Sequence, residues 1–411
     1  MVIPTVGPDP RACPGILLGL RLAADTGCRV LVIRSGPASE ADFPWDLVAL
    51  DVRARVHVID FDDVNRRWHA AQDILERDPS GYDVAAKRNL ALVVAVVLGW
   101  EQVLFLDDDM EESPHSDGLN AANVAEVGEW MRRERVDAVG WSCTDFPDNS
   151  VVCHARRLAG RPQSTFIGAG ALLVAVSEKT PFFPDMYNED WFFLIALAAA
   201  REDRFGALGR VGTVTQEEYD PYTLDRVERQ ERGDVLAEGL LNLLEDGGDL
   251  FAPDSQALQP EFWRRAVRSR LRMITALITV LHGFSLLRPG GRKRRNEAVL
   301  ALRRAEQLAR GLDPVDLAEW VRTQPRHLER WARHLHRVRA AHRTVDAELL
   351  LKQIAVGQPP AEVSDDVLTP ADALLVAPIR QAARPAVWTK VARKAQNRYA
   401  AITGGPRSVI A

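Results

Sequence analysis

The chain reads as an α/β fold, a mostly parallel sheet with helices on both faces, followed by an all-α region. Three observations predict it. Residues 1–106 alternate short β-branched runs with helical periodicity, in the order strand, helix, strand, strand, helix, strand. Residues 103–106, Val-Leu-Phe-Leu, are apolar without alternation, as in a strand buried on both faces. Beyond residue 260 the short runs give way to long helical stretches at 261–287, 293–310, 314–322 and 327–351, with Gly and Pro at 288–291 and 311–314.

Charge divides the chain at the same place. The formal net charge is −5, yet residues 255–345 hold 20 Lys and Arg against 7 Asp and Glu, or +13, leaving 32 against 50, or −18, for the rest. We therefore expect an α/β catalytic domain at 1–250, a basic helical accessory domain at 255–355, and a linker with a last basic amphipathic helix at 356–411. The 411 residues suffice for such an arrangement. The opening MVIPTVGPDP has neither a basic n-region nor a long apolar h-region, so no secretory leader is expected. Cys13, Cys28, Cys143 and Cys153 show no CxxC spacing, as expected of reduced thiols in a cytoplasmic protein. The longest apolar run, 273–287, is shorter than the roughly twenty residues of a spanning helix.

In chain order, residues 2–6 form a first strand ending in the turn cluster Gly7-Pro8-Asp9-Pro10, and residues 17–26 a helix. Strands at 29–33 and 56–59 follow, the second ending at Asp60. Neither GxGxxG nor GxxxxGK[ST] occurs, which excludes those dinucleotide and P-loop signatures. Lys87-Arg88-Asn89 opens an apolar helix, and the strand at 103–106 delivers Asp107, Asp108 and Asp109 to its carboxyl edge, where α/β sheets bind ligands. Three adjacent aspartates repel one another, and such hard oxygen donors suit Mg2+ or Mn2+. A helix at 123–135, a strand at 136–141, a loop at 142–163 holding Arg156-Arg157, and a strand at 165–176 with Gly168 and Gly170 come next. These glycines either admit a substrate close to the backbone or mark a bulge. Glu189 and Asp190 open the aromatic helix at 191–200, where the helix dipole alone favours carboxylates. A strand at 209–214 leads to Glu217.

The order Arg88-Asn89, buried strand, Asp107-Asp108-Asp109, then Phe183-Pro184 and Glu189-Asp190 resembles the ARN, DxD and ED elements of GT-A glycosyltransferases of the family-2-like group, which use nucleotide-diphospho-sugars. The resemblance covers a little over half of the chain. It implies a Rossmann-like GT-A domain in which Asp107 and Asp109 hold Mn2+ or Mg2+. It also implies that Asp107 and Asp108 bind the sugar nucleotide and that Asp190 is the base for an acceptor hydroxyl, supported by Glu189. Thr5 and Asp60 are candidates for the nucleobase, although either could serve only as a cap, and Arg88 is the candidate for the diphosphate. The histidine that many of these enzymes place after the last strand is missing, with Glu217 as a candidate third ligand. Residues 226–233, RVERQERG, resemble a QxxRW element without its tryptophan and equally fit a charged solvated helix.

The basic stripe Arg264, Arg265, Arg268, Arg270 and Arg272, with 292–295, fits either a peripheral contact with an anionic inner membrane surface or pairing with the acidic half. The scattered His327, His334, His336 and His342 lack HExxH spacing. The expected partners are a nucleotide-sugar donor and a small-molecule, glycan or lipid-linked acceptor, with a homo-oligomer allowed and nucleic acid not expected. Two competing readings remain: a sugar-phosphate nucleotidyltransferase, for which 1–15 supplies only Gly7 and Arg11 toward a phosphate loop, and a silent binding or scaffold module.

Overall fold

The structure, a computed structural model, describes residues 1–63 except 8 and 41, 83–161 except 145 and 147–149, 167–201, 208–287 and 291–341, together with 351 and 355. The expected linker and final helix at 356–411, the start of the strand at 165–176, and His342 lie outside the described residues.

Eight strands form one sheet in the order β3-β2-β1-β4-β7-β6-β8-β5: β1 Val2–Thr5, β2 Val30–Arg34, β3 Val56–Asp60, β4 Gln102–Leu106, β5 Met110–Glu111, β6 Ala138–Cys143, β7 Ala171–Ala175 and β8 Leu208–Gln216. The half from β3 to β4 is parallel, as expected. Beyond β4 the sheet is mixed: β7 runs antiparallel to both β4 and β6, β8 parallel to β6, and the short β5 antiparallel to β8. From β1 the chain winds outward through β2 and β3, and β4 then joins the other side of β1. The winding therefore reverses between β1 and β4, which is where such sheets open a ligand crevice.

Nine helices of two turns or more are described: α1 Pro14–Thr26, α2 Val84–Leu98, α3 Ala121–Glu134, α4 Val151–Leu158, α5 Glu189–Ala199, α6 Leu224–Glu245, α7 Pro260–Leu287, α8 Arg292–Gly311 and α9 Pro314–Ala341. Alternate strand residues feed two cores, because successive side chains point to opposite faces. Leu31, Ile33, Val103, Phe105 and Leu172 pack with α2 and with Trp331 and Leu335 of α9. Val30, Val32, Leu104, Leu106 and Leu173 pack with Ile16 and Leu20 of α1 and Val127 and Met131 of α3. The remaining helices enclose two further clusters, one joining α5, α6, α7 and α9 and the other joining α4, α6, α7 and α8.

Three local expectations are corrected. The predicted loop 142–163 contains α4, whose Val151, Val152 and Ala155 are buried in the helical cluster. The two helices expected on either side of residues 323–326 are one, α9, running through Pro325. Residues 226–233 are solvated on one side only: Glu228, Arg229 and Arg232 are exposed, while Gln230 and Glu231 are buried and the Gln230 Oε1 accepts from the Val151 amide at 2.9 Å. In the basic stripe, Arg264, Arg265, Arg268 and Arg272 stay exposed, whereas Arg270 is 2% exposed and turned inward. Among the described residues, no helix is long and apolar enough to cross a membrane.

Candidate active site

The first turns of α2 hold three consecutive buried polar residues, each tying a different element to the site. Lys87 pairs with Asp83 at 2.9 Å and donates from Nζ to the Thr5 carbonyl at 2.7 Å, fixing the end of β1. Asn89 exchanges two 2.8 Å hydrogen bonds with the backbone of Phe183, fixing the loop before α5. Arg88 lies between them and reaches two carboxylates at once: its Nη2 donates to Asp107 Oδ1 at 2.6 Å and its Nη1 to Glu189 Oε1. The Phe183 ring, stacked on Phe193 at 4.2 Å, lies 5.6 Å from the guanidinium carbon.

Arg88, the sequence candidate for the diphosphate, is 2% exposed and is the buried counter-charge of the acidic site. Burial works against its charge, but Asp107, Glu189 and Asp190 outweigh that and raise its pKa. Burial is also the main influence on Glu189. Arg88 opposes it, while Asp190 and Asp107 reinforce it, and the carboxyl is pushed up to about 8. Three carboxylates share one guanidinium, so a proton or a further cation is needed to balance them.

The aspartate triplet forms the turn between β4 and β5. Asp108 faces Thr5 across the reversal point of the sheet, the Thr5 hydroxyl donating to Asp108 Oδ2 at 2.5 Å. Its carbonyl accepts from the Gly15 amide at 2.9 Å. A Cβ at Gly15 would collide with the Asp107 carbonyl, so only glycine lets α1 start this close to the turn. Asp109 Oδ2 accepts from Gln216 Nε2 at 2.7 Å, and its carbonyl from the Glu217 amide at 2.9 Å. The pairing of Met110 with Gln216 thus brings Glu217 beside Asp109, with the Glu217 side chain exposed.

Asp190 joins Asp107 through one short segment. The Ala169 amide donates to Asp190 Oδ2 at 2.9 Å, and the Asp107 amide donates to the Gly170 carbonyl at 2.9 Å. A Cβ at Gly168 would lie 2.9 Å from Asp190 Oδ2, so that glycine is a close-approach position facing a carboxylate and not merely a bulge. Trp191 N also donates to Asp190 Oδ1 at 2.8 Å. Asp107, Glu189 and Asp190 therefore belong to one constellation at the carboxyl edge of the sheet, and Asp109 follows Asp107 in the same turn. Thr5, Arg34 and Asp60 stand in register in a row along the same edge. Asp60 Oδ1 accepts from the amides of Asp62 and Asp63, each at 3.1 Å, and so caps the turn after β3.

Among the described residues, no three His, Cys, Asp or Glu side chains are grouped to hold a metal ion. Of the predicted set of Asp107, Asp109 and Glu217, Asp107 turns toward Arg88 and Asp109 toward Gln216. The donor set still fits a hard divalent cation, because Mg2+ and Mn2+ are commonly held by one or two carboxylates and complete their shell with water and substrate phosphate. Sequence reasoning marked the stretches that hold Lys87, Asn188 and Gln216 but missed what the last two do, because their partners, Asp234 and Asp109, lie 46 and 107 residues away.

No family model matches the chain, and no curated protein matches it. Solved structures that resemble it include two of glucosyl-3-phosphoglycerate synthase from Mycobacterium tuberculosis, one of them in complex with Mn2+, UDP and glucosyl-3-phosphoglycerate. They are 16% and 14% identical to this chain, cover 59% and 58% of it and 77% of their own length, and superpose with a TM-score of 0.32.

Proposed function

We propose that the chain is a metal-dependent glycosyltransferase that moves a sugar from a nucleotide-diphospho-sugar to an acceptor hydroxyl. The observation that carries the reading is the position of the Asp107–Asp109 turn at the β1/β4 reversal, with Glu189 and Asp190 brought against the same guanidinium. Three groups of residues there have distinct roles. The row Thr5, Arg34 and Asp60 offers hydrogen-bonding groups at the strand ends for the nucleoside. Asp107 and Asp109 would hold Mn2+ or Mg2+, which, when bound, neutralises the diphosphate and stabilises it as the leaving group. Asp190, oriented by the Ala169 amide, would accept the proton of the attacking hydroxyl. Arg88 keeps Asp107 and Glu189 apart from each other's charge and fixes their geometry before substrate arrives. The exposed arginines of α7 support a peripheral contact with an anionic membrane surface in the cytoplasm as part of the same proposal.

The test is a melting-temperature panel of UDP-, GDP-, dTDP- and CDP-sugars with and without Mn2+. A ligand that binds only the native state raises stability by about 2.7 kcal/mol at a hundred times its Kd. One donor is expected to shift the melt only with Mn2+, and Asp107→Asn or Asp109→Asn to abolish that shift. A panel in which nothing binds overturns the reading in favour of a silent scaffold.

A further inference from the structure

Asn188 is one of two non-glycine residues among those described with a positive φ, at 69°, and it directly precedes Glu189 and Asp190. An L-residue in this region is strained unless its surroundings hold it there. Its surroundings come from α6. The Asn188 Nδ2 donates to Asp234 Oδ1 at 2.9 Å. One residue earlier on α6, Gly233 lets the Tyr187 carbonyl lie against the helix backbone, where a Cβ would collide with it. The chain is thus clamped on both sides of the residue that turns it into α5.

Asp234 is in turn held from the helical region. Arg270 of α7 is 2% exposed and donates to Asp234 Oδ2 through Nη2. It also donates to Glu231 at 2.8 and 3.0 Å and to Glu238 at 2.8 Å. A fork-shaped donor set is what this arrangement requires, since three carboxylates are addressed from one side chain. A continuous path of hydrogen bonds and one peptide link runs from Arg270 through Asp234 and Asn188 to the Glu189–Asp190 turn.

Resting on the glycosyltransferase reading, we propose that Arg270 and Asp234 are positioning residues for Glu189 and Asp190, acting through Asn188. The helical region is then part of the transfer machinery and not an appendage that selects acceptors. Asn188 touches no reacting atom; its side chain sets the angle at which the two carboxylates enter the site. Because glycine adopts a positive φ without strain, Asn188→Gly keeps the backbone conformation available and removes only the tie to Asp234.

The experiment uses the full chain, the donor found in the panel and release of nucleoside diphosphate as the readout. Asn188→Gly and Asp234→Ala are each expected to lower kcat by roughly tenfold to a hundredfold, as misplacement of about 1 Å does, with donor KM unchanged within about twofold. The double variant should be no worse than either single one, because both cut the same link. Asp234→Asn, whose amide oxygen still accepts from Asn188, should recover part of the loss. Asn188→Gly with wild-type kcat overturns the proposal, as do losses that multiply in the double variant or that follow falling melting temperature and donor affinity together. A wild-type chain that neither binds nor turns over any donor sinks the glycosyltransferase reading itself, and this role with it. A working wild type beside an unaffected Asn188→Gly sinks only the positioning role.

Discussion

At the scale of single residues, the site is governed by a charge imbalance. Arg88 is one cation against Asp107, Glu189 and Asp190; Arg88 and Glu189 are buried, while Asp107 and Asp190 are partly exposed at the carboxyl edge of the sheet. Glu189, raised to about 8 chiefly by burial, binds a proton more tightly when folded than when unfolded. A raised acid contributes stability that is complete below its ordinary value of 4.5 and is lost as pH climbs through its folded value. Glu238, raised by burial to about 7, contributes with the same sign. The melting temperature should therefore fall as pH rises from about 5 to about 9, and Glu189→Gln should flatten the upper part of that fall. A melting temperature that climbs steadily over this range in the wild type would show that Glu189 is ionised throughout. The thiols supply a second check. Cys13 and Cys153 are pushed up to about 11 and about 12, in both cases mainly by burial. Neither should be alkylated at neutral pH before the chain unfolds, which mass spectrometry after iodoacetamide treatment will read.

Secondary-structure elements followed the sequence where their signal is local. Unbroken apolar runs marked β2, β3 and β4 to within a residue or two, and the apolar periodicity of α1, α2 and α7 was equally plain. Two elements misled for opposite reasons. α4 begins at Ser150, whose hydroxyl caps the Cys153 amide, but its eight residues are too few for periodicity to stand out among turn formers. The sequence pattern divides α9 at residues 323–326, where Pro325 removes one backbone donor and crowds the carbonyl four residues earlier. The helix continues because packing fixes it on both sides, Leu317 and Val321 in one cluster and Trp331 and Leu335 in another. Thr323 and Gln324 also turn their side chains back to the Trp320 carbonyl, at 2.8 and 3.1 Å. Pro325→Ala should stabilise the chain by about 1–3 kcal/mol in guanidinium unfolding. Destabilisation would mean that a kink at this point is required by the packing.

For the whole molecule, the charge division at residue 250 does not coincide with a division of the core. Trp331 is 1% exposed, packs with the strands of the α/β half and donates to the Thr180 carbonyl at 2.9 Å. Arg270 is the buried counter-charge to Glu231, Asp234 and Glu238 on α6. Removing one partner of a buried charge cluster costs about 3–5 kcal/mol, and emptying a buried tryptophan site about as much. Together these approach the 5–15 kcal/mol that typically stabilises a whole domain. Residues 1–250 alone should therefore show no cooperative melt and poor amide dispersion, and Trp331→Ala in the full chain should cost about 3–5 kcal/mol. A cooperative melt of 1–250 would establish the helical region as the separate domain that its charge suggests.

Sequence alone determined the alternation of strands and helices, the aspartates at the end of a buried strand, and the carboxylates at the start of α5. Each is written in neighbours a few residues apart, as apolar period or as a polar stop after an apolar run. Tertiary structure decided what those groups do to one another. Thr5 meets Asp108 across 103 residues of chain, Arg88 meets Glu189 across 101, and Arg270 meets Asp234 across 36. A charged side chain looks the same in sequence whether it faces water, a diphosphate or a buried counter-ion. Only the long-range approach of its partner, which desolvates both, settles which of these it is.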